Sequence, residues 1–194
     1  MNNLFLLEKK ILSDQELEII RDTILLKEKY VKSLGPDVYE GTSEDSLSGR
    51  HSIFNWLSVE EIGNILVPKL KDIFLELQWD SPVSVQCWAN TFRQGEGIKI
   101  HKHRSFLSLQ PPFFCANVFI SGNTKPGTIY FDGLTFINAP SYKIENEPGK
   151  IMIFTSELFH GVEPNPFDET RISMALDFYP GQRYDNPNRF YVIE

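Results

Sequence analysis

The spacing of apolar residues predicts a helix near the start of the chain. Ser13-Asp14-Gln15-Glu16 has the form of a capping box, in which serine and a glutamate three residues later satisfy the free backbone N–H groups of a first helical turn. Leu17, Ile20 and Ile24 follow at helical spacing. We therefore expect an amphipathic helix that begins next to Ser13.

A second helix is predicted after residue 58. Ser58-Val59-Glu60-Glu61 repeats the capping signal, and an apolar stripe follows between residues 62 and 77. Pro68 lies inside this stripe, so the helix is expected to be kinked or divided near Val67. The segment 35–49 between the two helices is rich in Gly, Ser, Asp and Glu, which predicts a loop.

The pattern changes after Trp79 to short apolar or alternating runs. Seven of them are punctuated by Gly and Pro, at 83–92, 98–103, 113–120, 128–131, 151–155, 158–162 and 171–179. Short strands with such turns indicate a sandwich or barrel. We predict one mainly β domain over 1–194, with helical support at about 1–79 and a jelly-roll (double-stranded β-helix) core at about 80–180.

Composition narrows the class of protein. The 194 residues carry a net charge of −7, which makes a nucleic-acid partner unfavourable because phosphate backbones need a basic surface. There is no N-terminal signal pattern and no apolar run of about 18 residues, so we expect a cytoplasmic protein without a membrane partner. Cys87 and Cys115 lie in apolar runs and are interpreted as buried free thiols.

Three of the four histidines form a candidate metal site. Side chains alternate across a strand, so His101 and His103 project to the same face and Lys102 projects away. Two imidazoles on one face can share a first-row metal, and His160, far downstream, could supply a third ligand. An H-x-H pair alone is a weak signal, because exposed and core histidines also occur at this spacing.

The strand that follows His160 adds a buried cation. Alternation places Arg171 and Ser173 on one face, whereas Ile172 and Met174 lie on the other, which packs under the helices. An arginine inside a barrel needs a carboxylate partner, and its planar fork suits one. Both a structural ion pair and an anionic ligand satisfy this requirement.

Together these residues resemble the 2-oxoglutarate- and Fe(II)-dependent oxygenase superfamily. The usual signature of that superfamily is H-x-D/E, a distal His, and Arg-x-Ser about ten residues later. Here His101-Lys102-His103, His160 and Arg171-Ile172-Ser173 take these places. The resemblance covers roughly residues 83 to 180.

The segment before the first histidine is similar to the Asn-x-Tyr strand and Gly turn of the alkylation-repair branch. Asn90 matches the asparagine that helps to bind 2-oxoglutarate there, whereas Phe92 replaces the tyrosine and lacks its hydroxyl group. The resemblance implies that Arg171, Ser173 and Asn90 bind the cosubstrate.

His103 departs from the superfamily signature, which has Asp or Glu at this place. A neutral imidazole cancels none of the charge of the metal ion, and it changes the electronic properties of the site. Short bacterial and phage members of the superfamily are similar in having H-x-H here. The ligand set implied by the resemblance is His101, His103 and His160. The alternatives are a carboxylate from Asp132 or Glu96 in place of His103, or a site with only two protein ligands.

The resemblance implies an iron dioxygenase that couples decarboxylation of 2-oxoglutarate to hydroxylation of a small molecule or an amino-acid side chain. Two alternatives stay open at this point. One is a cupin-like three-histidine dioxygenase that uses no 2-oxoglutarate, and the other is a non-catalytic jelly-roll module that binds a metal or a small ligand. The sequence identifies neither the substrate nor the oligomeric state.

Overall fold

The computed structural model describes residues 5–35, 47–103, 111–125, 127–131, 141–184 and 186–194. Two α-helices lie in these ranges, α1 (Asp14–Ser33) and α2 (Glu60–Glu76), with short 3-10 turns at Leu47–Arg50 and Trp56–Ser58. The strands are β1 (Phe5–Lys10), β2 (Val83–Phe92), β3 (Ile98–His101), β4 (Phe114–Ser121), β5 (Thr128–Phe131), β6 (Ser141–Ile144), β7 (Lys150–Thr155), β8 (Phe159–Val162), β9 (Arg171–Pro180) and β10 (Tyr191–Ile193).

The strands form two antiparallel sheets. The larger has six strands in the order β1-β7-β4-β9-β2-β10, and the smaller has four in the order β3-β8-β5-β6. A small apolar cluster that includes Cys115 of β4, Tyr130 of β5 and Phe154 of β7 joins them. The predicted jelly-roll core, the double-stranded β-helix, is confirmed, with both helices against the outer face of the large sheet.

The central strand β9 has two faces of different character. Ile172, Met174 and Leu176 belong to the main apolar core, together with residues of both helices. Phe178 continues this face and packs edge-on against Phe74 of α2, with ring centroids 5.4 Å apart. The opposite face looks between the two sheets, and it carries the polar residues that are described below.

The helices agree with the sequence prediction in part. The capping box of α1 is present, since Ser13 accepts from the backbone of Glu16 and the glutamate side chain reaches back. In contrast, α2 is capped by Val59 without a side-chain hydrogen bond, so the predicted role of Ser58 is wrong. The helix also continues through Pro68 and is not divided. No helix of the described ranges is long and apolar enough to span a membrane.

All seven predicted strands are present, with ends shifted by at most two residues, and three others escaped prediction. The missed strands β1 and β10 lie at the edges of the large sheet, and β6 lies at the edge of the small one. β1 falls in the part of the chain that was predicted to be helical. Cys87 and Cys115 are buried free thiols, as expected.

A buried carboxylate ties α1 to the end of β2. The Glu28 side chain accepts hydrogen bonds from Thr91 at 3.1 Å and from both guanidinium nitrogens of Arg93 at 3.0 and 2.8 Å. Lys32, one turn along the helix, lies 2.8 Å away. Burial alone would raise the pKa of Glu28, but these partners lower it to about 2.

The variant Glu28→Gln should therefore be less stable, by about 2 kcal/mol at pH 7. A depressed pKa stabilises the fold above the unfolded-state value of 4.5, and this contribution is lost as the pH falls toward about 2. Urea unfolding should show a smaller difference between variant and parent at pH 3 than at pH 7. The control is Glu18→Gln, an exposed change on the same helix that should leave the unfolding free energy unaltered at both pH values. A difference that does not vary with pH would contradict the role of the charge.

Candidate active site

The fold brings His101, His103 and His160 together. β3 and β8 pair antiparallel with His101 directly opposite His160, and His103 lies two residues beyond the end of β3. The Nε2 atoms of His101 and His103 are 3.2 Å apart, and one ligand atom from each of the three residues lies within 4.8 Å of the others. Two nitrogens bound to one metal at about 2.1 Å and at right angles would be separated by about 3 Å. The spacing is that of a metal site.

A close approach of two backbones makes this arrangement possible. Gly161, next to His160 on β8, lies against β3, and a Cβ atom at this position would be 3.1 Å from the carbonyl oxygen of Ile98 and 3.2 Å from the nitrogen of Ile100. Such contacts are too short for a side chain without movement of β3. Glycine therefore lets the two histidine-bearing strands meet.

The hydrogen bonds of the three rings define their tautomers. Nδ1 of His101 lies 2.8 Å from the carbonyl oxygen of Lys99, and Nδ1 of His160 lies 3.0 Å from that of Leu158. Nδ1 of His103 lies 2.5 Å from a carboxylate oxygen of Asp177. Carbonyl and carboxylate oxygens accept hydrogen bonds, so each Nδ1 donates its proton. In this tautomer the lone pair of each neutral ring lies on Nε2.

Electrostatics keeps the cluster in the state that a metal needs. Burial, with the charge of His103 as a second cause, lowers the pKa of His101 to about 4. Burial also lowers the pKa of His160 well below its ordinary value. Both imidazoles are therefore neutral near pH 7 and able to bind a cation.

The predicted anion-binding residues lie on neighbouring strands of the large sheet. Arg171 is 2% exposed, its guanidinium lies 4.9 Å from the ring centre of Phe92, and it donates to the carbonyl of Glu163 at 3.4 Å. Burial lowers the pKa of Arg171 to about 10, which leaves it charged at pH 7. Ser173 faces Asn90 across the β2–β9 ladder.

Asn90 carries a buried polar atom that lacks a partner. Its Nδ2 atom lies 3.5 Å from the hydroxyl oxygen of Ser173, and its Oδ1 atom is buried with no hydrogen-bond partner among the described residues. If the amide were rotated by half a turn, Oδ1 would accept from the Ser173 hydroxyl and the NH₂ group would be free to donate. A buried amide, a hydroxyl and a guanidinium on adjacent strands suit the distal carboxylate of 2-oxoglutarate.

The three histidines of the cluster line one pocket with Arg171, Ser173 and Asn90. Apolar and polar side chains from both sheets complete its wall: Trp88, Phe92, Ile98, Asn117, Phe119, Thr128, Asn146, Val162 and Ala175. The pocket lies between the two sheets, where a bound anion would be shielded from water.

Sequence reasoning missed several residues of this region. Asp177 is the most important, and it lies on the same face of β9 as Arg171 and Ser173, so an extension of the same alternation would have indicated it. Asn117 faces inward on β4 and donates to the Tyr130 hydroxyl at 3.3 Å. The sequence held no signal for Asn117 beyond its position in a predicted strand.

Of the two alternative carboxylate ligands, Glu96 and Asp132, the described part of the structure contains only Glu96. Glu96 is exposed in the turn after β2, where its side chain accepts a hydrogen bond of 2.7 Å from the backbone of Arg93. Among the described residues it lies in neither of the groups that could hold a metal, so Glu96 as a ligand stays a prediction without geometric support. Asp132 lies outside those residues.

Comparison with known families gives a match over part of the chain. Residues 118–177 match the family described as "Putative 2OG-Fe(II) oxygenase". This chain resembles a 2-oxoglutarate/Fe(II) oxygenase. The match spans β4 to β9, including His160, Arg171, Ser173 and Asp177, and it begins after the H-x-H motif. Together with the histidine cluster, it supports Fe(II) and 2-oxoglutarate as the cofactors. A comparison with curated proteins gave no match.

Solved structures share the fold at low sequence identity. A prolyl-4-hydroxylase from Pseudomonas putida is 12% identical, with 94% of this chain and 95% of that chain covered and a TM-score of 0.65. A viral collagen prolyl hydroxylase of Paramecium bursaria Chlorella virus-1, in complex with 2-oxoglutarate, is 11% identical over 92% and 97%, with a TM-score of 0.63. A carbocyclase of nogalamycin biosynthesis, dependent on alpha-ketoglutarate, is 13% identical over 95% and 90%, with a TM-score of 0.68.

Replacement of any one histidine of the cluster should weaken metal binding. For His101→Ala, His103→Ala and His160→Ala we expect the affinity for Co(II), a stand-in for Fe(II) that is stable in air, to fall at least about 100-fold, because each removes one direct ligand. Isothermal titration calorimetry measures this change. The control is His51→Ala, which alters the fourth histidine and should leave the affinity within twofold. Equal affinities for His51→Ala and His160→Ala would contradict the ligand assignment.

Proposed function

We propose that this protein is an Fe(II)- and 2-oxoglutarate-dependent dioxygenase that hydroxylates a small molecule or an amino-acid side chain. The observation that carries the proposal is the cluster of three histidines, whose ligand atoms lie within 4.8 Å of one another, in the same pocket as a buried arginine. The family match adds support for the cofactors. The fold that the chain shares with two prolyl hydroxylases supports hydroxylation as the outcome.

In this proposal His101, His103 and His160 hold the metal through Nε2. Their Nδ1–H groups, bound to Lys99 O, Asp177 and Leu158 O, keep the rings oriented before the metal arrives. Prior orientation reduces the entropy that binding would otherwise cost. His101 and His160 bind the metal without loss of a proton, because burial keeps both rings neutral near pH 7.

Arg171, Ser173 and Asn90 hold the distal carboxylate of 2-oxoglutarate. The guanidinium supplies charge and paired N–H donors, and the hydroxyl and amide groups add further hydrogen bonds. Phe92 packs against the guanidinium of Arg171. It lacks the hydroxyl group of the tyrosine that the alkylation-repair branch has at this place, so its contribution is apolar packing. Phe119 and Val162 exclude water from the same space.

When bound, Fe(II) with 2-oxoglutarate and O₂ supplies the oxidising chemistry, in which one oxygen atom enters a substrate C–H bond and the other enters succinate, with release of CO₂. The protein contributes position and shielding. It fixes the cosubstrate by its far end, keeps the metal-facing nitrogens free of protons, and surrounds both with apolar walls.

The first test is the anaerobic addition of Fe(II) and 2-oxoglutarate, which should produce the visible charge-transfer absorption of the chelate.

For Arg171→Ala we expect 2-oxoglutarate to bind about 100-fold more weakly, because a buried charged contact is lost, while Co(II) affinity stays within a few-fold of the parent. Arg21→Ala, on the exposed side of α1, is the matched control and should change neither affinity. Undiminished 2-oxoglutarate affinity in Arg171→Ala would refute the role given to the arginine.

The second test separates this proposal from its alternatives. Succinate release that requires Fe(II), 2-oxoglutarate and O₂ together is the expected result. Oxygen consumption with candidate substrates but without succinate would instead indicate the cupin-like dioxygenase. Metal binding with no oxygen consumption under either condition would indicate a non-catalytic module.

A further inference from the structure

The three histidines of the cluster differ in what holds their Nδ1–H groups. Neutral backbone carbonyls hold His101 and His160, whereas a carboxylate of Asp177 holds His103. We propose that Asp177 supplies the negative charge of this metal site through His103, as a positioning residue and not as a ligand. The inference rests on the metal-binding part of the proposed function.

The position of Asp177 makes it a bridge between the two sheets. It lies on the inner face of β9, opposite Gln86 of β2 and Cys115 of β4, so a neighbouring strand of the large sheet flanks it on each side. His103 follows the end of β3 in the small sheet. The Asp177–His103 hydrogen bond therefore sets the position of the one cluster histidine that no strand ladder holds.

Burial makes the interaction strong. The side chains of His103 and Asp177 are 7% and 9% exposed, and Nδ1 of His103 lies 2.5 Å from the carboxylate oxygen. The Tyr179 hydroxyl lies 3.5 Å from its second oxygen, too far for a strong bond. The Cys115 thiol also hydrogen-bonds to the carboxylate, but a thiol is a weak donor, so the charge of Asp177 acts mainly on His103.

The charge balance explains why the carboxylate belongs to the site. Three neutral imidazoles leave both positive charges of a divalent ion uncompensated in a largely buried pocket. A carboxylate hydrogen-bonded to Nδ1 makes Nε2 a stronger donor to the metal and reduces the net charge of the assembly by one. Asp177 thus compensates the charge of the metal through its hydrogen bond to His103, as an aspartate ligand would do by direct contact.

Direct ligation by Asp177 fits the geometry less well. His103, Cys115 and Asp177 also offer ligand atoms within 4.8 Å of one another, but this group uses the opposite edge of the His103 ring. Cys115 is fully buried, and its thiolate would place a second negative charge beside the carboxylate. A metal held there would also forgo the facing nitrogens of His101 and His160.

The first experiment measures Co(II) affinity of the full chain by calorimetry. Asp177→Asn retains the shape and a hydrogen-bond acceptor but removes the charge, and it should weaken Co(II) binding about 10- to 100-fold. Asp177→Ser, which leaves room for water beside Nδ1, serves if the first variant fails to fold, and it should weaken binding at least as much. The control is Glu28→Gln, which neutralises another buried carboxylate, bonded to Thr91 and Arg93 and not to a cluster histidine, and should leave Co(II) affinity within twofold despite its lower stability.

The second experiment distinguishes a role through His103 from a general one. In a His103→Asp background the residue at 103 has no Nδ1–H to hold, and two carboxylates lie near each other. The further change Asp177→Asn should then cost nothing or should tighten Co(II) binding. An equal loss in both backgrounds would overturn the inference, because the carboxylate would be acting independently of His103.

The remaining outcomes are also decisive. If the parent protein binds no Co(II), the metal site and the proposed function fail together. If the parent binds Co(II) and Asp177→Asn binds it equally well, the inference alone fails. An intense thiolate-to-cobalt absorption band in the parent would place the metal at Cys115, and this too would overturn the inference.

Discussion

The two faces of β9 impose the constraint on which the rest of the structure depends. Its outer residues, Ile172, Met174 and Leu176, are buried under both helices. The period of two then forces Arg171, Ser173 and Asp177 inward, between the sheets. A shift of register by one residue would bury the helices against charges and leave the pocket without its polar groups. Packing of the helices therefore fixes the chemistry of the pocket, although no helix contributes to its wall.

The strand β9 carries an arginine and an aspartate into the interior, where an unpaired charge is costly. At the aspartate end, His103 compensates this cost with a 2.5 Å hydrogen bond to Asp177. At the arginine end the packing over Phe92 and the bond to Glu163 O hold the guanidinium in place. The buried Oδ1 of Asn90 is unsatisfied nearby, and such a group is expensive to keep unless a ligand uses it. In the proposed function, the polar residues thus divide between a metal end and an anion end of one pocket.

Local signals predicted what local physics decides. The capping box at Ser13 and the alternation in β2 and β9 involve neighbours in sequence, so the pattern alone was sufficient. The strand β1 depends on pairing with β7, far along the chain, and its six residues carry no signal of that partner. Ser58 failed as a cap because it is the last residue of the preceding 3-10 turn, so Val59 takes the cap position and the helix begins at Glu60. His101 lies opposite His160 only because of the register between β3 and β8. The spacing of the motifs suggested that the two histidines meet, but it could not specify this register.

The departure at His103 is best understood together with Asp177. An aspartate at position 103 would bind the metal without needing an acceptor for a ring nitrogen, and Asp177 would then be a buried carboxylate without its donor. A histidine at 103 without Asp177 would have a free Nδ1–H and no compensating charge. Either single change leaves one buried group unsatisfied, whereas the pair satisfies both. His103 and Asp177 thus form one functional unit, and the H-x-H motif is chemically complete only when β9 is counted with it.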